Sequence, residues 1–253
     1  MSDVLADRRD SVLVITINRP EQRNAVNGGV AAGIAAALDE LDADDELRVG
    51  IVTGAGGYFS AGMDLKAFVT GEQPYAGDRG FAGITRRAAR KPLIAAVEGF
   101  ALAGGFEIAL SCDLIVASRE ARFGIPEVKR SLVAAAGALI RLPKRIPYHL
   151  AMELALTGEP IGAERAADVG IVNRLSEPGA ALDSALELAQ QIVRNAPLAL
   201  IASKEIVQKA PDWPEQEAWA KQGDISGPVV ASEDAREGAT AFAEKREPVW
   251  RGR

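Results

Sequence analysis

Three times in the first 112 residues a short aliphatic run stops at a turn of small or polar residues and gives way to a helical pattern. Residues 11–18, dense in Val, Leu and Ile, end at Arg19-Pro20, and Asn27 then opens a pattern in which Val30, Ile34, Leu38 and Leu41 recur at helical spacing. Residues 49–53 stop at Gly54-Ala55-Gly56-Gly57, with a turn and the start of a helix over 58–68. Residues 93–97 run into Glu98-Gly99, and Gly104-Gly105 opens a helix reaching about Cys112. A further strand follows at 114–117. Repeated strand–turn–helix units predict an α/β fold, because each helix needs a sheet face on which to bury its apolar stripe.

The second half changes character. Helical segments begin near Pro147, Gly162, Ala180, Pro197, Pro214 and Ser232. This predicts a core domain over residues 1–195 and a C-terminal helical region over 196–253 suited to packing on a neighbouring subunit. Residues 70–83, rich in Gly, Pro and polar side chains, read as a mobile surface loop.

Scarcity narrows the chemistry. The chain has one histidine, His149, and one cysteine, Cys112. A zinc site needs three or four ligands at set spacings, so no metal is expected. His149 lies where a packed helix begins, a poor setting for a nucleophile's base. Any proton transfer must therefore use carboxylates. A single cysteine excludes an internal disulfide framework and fits a reducing cytoplasm. The net charge of −6 argues against nucleic acid or an anionic membrane as partner. Neither a secretory h-region in the first ten residues nor a run of about 18 apolar residues is found.

Three segments have the makings of a site. In Ala103-Gly104-Gly105-Phe106-Glu107 a glycine pair lets a ligand approach the backbone. The free N–H groups of the helix's first turn suit an anion or a developing oxyanion, and Glu107 falls in that turn. Residues 58–66 (Tyr-Phe-Ser-Ala-Gly-Met-Asp-Leu-Lys) have the same construction, with the Met63 N–H as a second donor. In Phe123-Gly124-Ile125-Pro126-Glu127, Pro126 suits the first position of a helix and places Glu127 at its start. Each glutamate alone reads equally well as a charge complementing a helix dipole. Together, two carboxylates and two backbone donors suit proton transfer next to a carbonyl. Burial and mutual repulsion would raise at least one pKa, making the pair a coupled acid and base. The run Val49-Gly50-Ile51-Val52-Thr53-Gly54-Ala55-Gly56 also suggests a dinucleotide-binding turn. Phe59 breaks G-x-G-x-x-G, however, and no Tyr-x-x-x-Lys is present.

These segments resemble the crotonase (enoyl-CoA hydratase/isomerase) superfamily nearly end to end. The resemblance rests on Ile17-Asn18-Arg19-Pro20 with Arg23-Asn24-Ala25, on residues 59–65 and 99–107, on Phe123 to Glu127, and on Glu237-Gly238 with Phe242 to Arg246. It implies a spiral of ββα units with a C-terminal helical trimerisation region, assembled as a homotrimer or dimer of trimers. It implies a cytoplasmic lyase of fatty-acid metabolism acting on an acyl-CoA thioester, whose carbonyl oxygen accepts from Met63 and Gly104. Arg23, Ala25, Ala61, Gly62, Asp64, Leu65, Lys66, Gly105 and Lys245 match substrate- or CoA-binding positions. Members with both glutamates are typically enoyl-CoA hydratases adding water to a 2-enoyl-CoA, with no cofactor beyond the CoA of the substrate. Isomerisation, dehydration, thioester hydrolysis and non-catalytic CoA binding are the alternatives. Arg19, Arg86, Arg87, Arg90 and Lys91, with Arg23 and Lys66, are further candidates for the CoA phosphates. The chain departs from the hydratase pattern at Ser131 to Ala138, where alanines replace a Pro- and Gly-rich stretch. This predicts a reshaped wall beside the acyl group.

Overall fold

In the computed structural model, which describes residues 2–253, the chain is a layered α/β structure with an extended set of C-terminal helices. Met1, the first residue of the expected core, lies outside the described residues. The chain opens with an antiparallel pair, β1 (Val4–Arg9) and β2 (Val12–Ile17), then α1 (Gly28–Ala43), β3 (Val49–Gly54) and the short α2 (Leu65–Val69). Next come β4 (Leu93–Val97), β5 (Phe100–Leu102), α3 (Gly104–Ala109), β6 (Leu114–Ser118) and β7 (Arg122–Gly124). Helices α4 (Ala138–Arg145) and α5 (Tyr148–Thr157), strand β8 (Ile161–Gly162), helix α6 (Ala163–Asp168) and strand β9 (Arg174–Ser176) complete the sheets. Helices α7 (Ala181–Val193), α8 (Pro197–Lys209), α9 (Glu215–Val230) and α10 (Glu233–Glu244) follow.

The main sheet has the order β1-β2-β3-β4-β6-β9, parallel except for the β1–β2 pair. Its faces explain why β2 is almost continuously apolar. Leu13, Ile15 and Ile17 pack with Val30, Ile34, Leu38 and Leu41 of α1, whereas Val12 and Val14 join Ala185, Leu188 and Ala189 of α7 on the other side. Alternate side chains of a strand point to opposite faces, so a strand covered on both sides needs apolar residues at every position. A second sheet, β5-β7-β8, stands beyond the carboxyl ends of the main strands. The three segments singled out in the sequence follow β3, β5 and β7.

Several elements differ from the sequence reading. Strand β1 carries no apolar alternation because it is the sheet edge, five of its six residues being exposed, and its Asp7, Arg8 and Arg9 discourage edge-to-edge pairing. Residues 70–83 are not a loop exposed throughout: Pro74 and the stretch from Arg79 onward are buried, with Phe81 and Ala82 in the core. Helix α4 escaped notice because Pro143 interrupts its pattern. The second half is not wholly helical either, since β9 completes the main sheet beside β6. Among the described residues no helix is long and apolar enough to cross a membrane.

Candidate active site

Two abrupt turns build one side of the site. Leaving β5, the chain passes through Ala103 at φ 52° and ψ −129°, a conformation that costs an L-residue strain, and enters α3. The first N–H of α3, on Gly104, has no partner inside the helix. The second turn, residues 58–64, runs alongside two neighbours, with Ser60 bridged to Ala101 and Met63 to Val26. The turns touch. A Cβ on Gly62 would stand 2.8 Å from both Ala103 Cβ and Gly104 N, and a Cβ on Gly105 would collide with the Ser60 carbonyl. Among the described residues neither the Met63 nor the Gly104 N–H has an acceptor within the chain. Sequence analysis singled out both donors, and the fold brings them together.

Buried polar bonds hold the Met63 turn. Asn24 is fully buried; its side-chain N–H group donates to the Ala55 and Tyr58 carbonyls, each at 2.8 Å. The Ser60 hydroxyl donates to the Asn24 carbonyl and accepts from the Gly62 N–H. Asp64 caps α2 by accepting from the Lys66 and Ala67 N–H groups, and pairs with Arg19 at 3.0 Å. The carboxylate of Asp64 is therefore committed to the scaffold.

Two glutamates complete the candidate site. Glu107, in the first turn of α3, is only 3% exposed, and its Oε1 accepts from the Ala138 N–H at 3.0 Å. Burial pushes its carboxyl up to about 7, and the Glu127 carboxylate adds to the rise. The N–H groups of Ala138 and Ala136 and the Arg141 charge act in the opposite sense. Pro126 begins a 3₁₀ turn, Pro126–Arg130, that presents Glu127. Burial raises the Glu127 pKa too, and among the described residues its buried Oε2 has no hydrogen-bond partner. A buried acceptor left open beside a second carboxyl is suited to a water or substrate proton.

The remaining candidates divide. Arg23, Ala25, Ala61, Gly62, Leu65 and Lys66 cluster around the Met63 turn, joined by the bonds Ala61 N–H to Arg23 O and Val26 N–H to Gly62 O. Lys245 is instead the left-handed cap of α10, which packs against α9. Four expected phosphate ligands have internal duties. Arg19 donates to the Ala25 carbonyl at 2.6 Å, Arg87 pairs with Asp78, Arg90 donates to the Asp42 carbonyl, and the buried Lys91 donates to the Asp44 carbonyl. Arg23, Lys66 and Arg86 are exposed. Sequence reading missed Asn24 as the anchor of one turn, Ala138 as the donor to Glu107, and Arg141. Asn24 could have been found from its place beside Arg23 in a quoted motif; the other two leave no local signal.

Comparison with known proteins gives the family of the chain. Residues 7–253 match the family described as Enoyl-CoA hydratase/isomerase. A carnitinyl-CoA dehydratase of Escherichia coli (strain K12) is 45% identical over 254 residues, covering 97% of each chain. Among solved structures, an enoyl-CoA hydratase from Mycobacterium tuberculosis H37Rv is 56% identical, with a TM-score of 0.98 and full coverage of both chains. A carnitinyl-CoA dehydratase from Mycobacterium avium 104 is 46% identical, with a TM-score of 0.80 over the whole of both chains.

Proposed function

The chain belongs to the enoyl-CoA hydratase/isomerase family, and from that premise we propose that it hydrates the 2,3 double bond of a 2-enoyl-CoA. The observation that supports this most is a buried Glu107 and a half-buried Glu127, both with raised pKa, in a chain whose Met63 and Gly104 N–H groups have no acceptor among the described residues. The thioester oxygen accepts from Met63 and Gly104. Charge that develops there as water attacks C3 meets donors already in place, each worth on the order of 3 kcal/mol in comparable sites. One ionised carboxylate takes a proton from the attacking water, and the other, protonated, gives its proton to C2 as the enolate collapses. In this reading the addition is of syn type, which requires both carboxyls to reach the same face of the enoyl group. The reaction needs the pair to hold one proton between its members, and either can carry it. CoA is part of the substrate and no further cofactor is required. Arg23 and Lys66 are the cations best placed for its phosphates, while Gly62, Leu65 and Gly105 shape the wall near the thioester.

A second reading is dehydration of a 3-hydroxyacyl-CoA, favoured by the name of the relatives at 45% identity. It runs the same proton transfers in reverse. Initial rates with crotonyl-CoA, carnitinyl-CoA and 3-enoyl-CoA, with free thiol release measured in parallel, separate hydration, dehydration, isomerisation and hydrolysis. Glu107→Gln and Glu127→Gln should each lower hydratase kcat by about 10²–10⁴-fold. Full turnover in both variants would remove the assignment.

A further inference from the structure

Arg141, on α4, is a half-buried guanidinium for which the described residues offer no ion pair. It is held by backbone instead: one Nη donates to the Thr85 carbonyl at 2.5 Å and the other to the Ala136 carbonyl at 3.4 Å. Gly137 clears its path, because a Cβ there would collide with Nη1. The two carbonyls belong to different segments that meet at the site. Ala136 lies in the loop whose Ala138 N–H holds Glu107. Thr85 ends the buried stretch whose Phe81 ring backs the oxyanion-type turn, 2.5 Å from where a Cβ on Gly104 would stand. One planar fork thus ties the loop that holds Glu107 to the stretch that supports the Gly104 donor, each by a different nitrogen.

We propose that Arg141 is a positioning residue for Glu107, which it acts on both by fixing the Ala136–Ala138 loop and by a positive charge that no carboxylate neutralises. This rests on the proposed acid–base role of Glu107. The charged and titratable groups facing Glu107 are few. Glu127, from the 3₁₀ turn, makes it harder to ionise, and Arg141, from α4, makes it easier. Cys112, on the residues following α3, is a buried thiol pushed up to about 12 by burial and stays neutral. Arg145, one turn beyond Arg141, donates to the Leu110 carbonyl at 2.7 Å. Holding Arg141 through carbonyls leaves its field available to the carboxylate; pairing it with an acid would cancel that field.

The test follows the Glu107 titration by NMR on protein labelled with ¹³C at glutamate carboxyls, the Glu107 signal being the one missing from Glu107→Gln. Hydration of crotonyl-CoA is measured against pH alongside. Arg141→Met should raise the Glu107 titration by about one pH unit and lower kcat about tenfold, with KM changed little. Arg141→Lys should leave the titration near that of the parent protein yet lose part of kcat, separating charge from positioning. Lys144→Met, at an exposed residue paired with Asp212, should change neither. If Arg141→Met does not accumulate as folded protein, Arg141→Gln replaces it. A Glu107 titration unmoved by loss of the cation would overturn the proposal. Because the titration needs no substrate, a shift without turnover of any enoyl-CoA would count against the functional reading and not against Arg141.

Discussion

At the scale of single residues, the site stores cost in two places. Ala103 holds a backbone conformation that favours glycine. Strain of this kind costs about 1–3 kcal/mol, against roughly 0.5–1 kcal/mol for the extra freedom glycine gains in the unfolded chain. Ala103→Gly should therefore stabilise the protein, raising Tm by a few degrees in a thermal melt. It should also lower kcat severalfold, because the Gly104 donor loses the rigid elbow that aims it. Glu107 is the other cost. Its pKa is raised in the folded protein, so between about pH 4.5 and 7 the native state holds a proton that the unfolded chain has lost. Its contribution to stability is fully present below pH 4.5 and is lost as pH rises through 7. At 1.36 kcal/mol per unit this amounts to something on the order of 3 kcal/mol. Urea unfolding of Glu107→Gln should show a more stable protein at pH 8, with little difference at pH 4.5. An unchanged stability profile would mean that the carboxyl is not buried as described.

At the scale of elements, the short helix α2 matters through its cap. Asp64 satisfies two N–H groups of α2 and anchors Arg19, one residue beyond Met63. Asp64→Ala should cost about 1–2 kcal/mol of stability in chemical denaturation and should lower kcat by loosening the Met63 turn. Asp64→Asn, which still caps, should recover most of the stability. Legibility in the sequence varied with the same physics. Residues 49–53 and 93–97 announce themselves as strands because both of their faces are buried, so every position but Thr53 is apolar or glycine. Glu107 and Glu127 were legible because glycine and proline next to them mark helix starts. Strand β1 left no pattern, since an edge strand exposed at five of its six positions is stabilised by its ladder to β2. The buried part of residues 70–83 was also hidden: Arg79 reads as polar, yet it is buried through bonds to Asp39 and to the Arg87 carbonyl, partners far apart in sequence or set by the turn itself.

At the scale of the whole molecule, α7 closes the second face of the sheet, and the chain beyond it adds little to that core. Helix α8 is moored to the core by Lys204, which reaches Asp113 and the Lys91 carbonyl, and the C-terminal residues fold back on α10 through Asp234. The expected division at residue 195 falls between α7 and α8. Trp219, Val230 and Phe242 in this region are more than 70% exposed in the single chain. The resemblance supplies a homotrimer as the expected form, and these exposed apolar side chains are where a neighbouring subunit would be tested for first. Sedimentation equilibrium should find a trimer or hexamer, and Trp219→Glu with Phe242→Asp should shift it toward monomer. A parent protein that sediments as a monomer would refute this.

By itself the sequence determined the α/β class, the helix starts and the residue types able to move protons, because strand and helix periods, glycine turns and the shortage of His and Cys are local properties. Tertiary structure alone decided that Met63 and Gly104 stand side by side and that Ala138 holds Glu107. It also decided that Arg19 and Lys91 serve the scaffold, and that Arg141 bridges Thr85 and Ala136. Those relations join segments tens of residues apart, and burial, which sets the glutamate pKa values, exists only once the chain has closed around them.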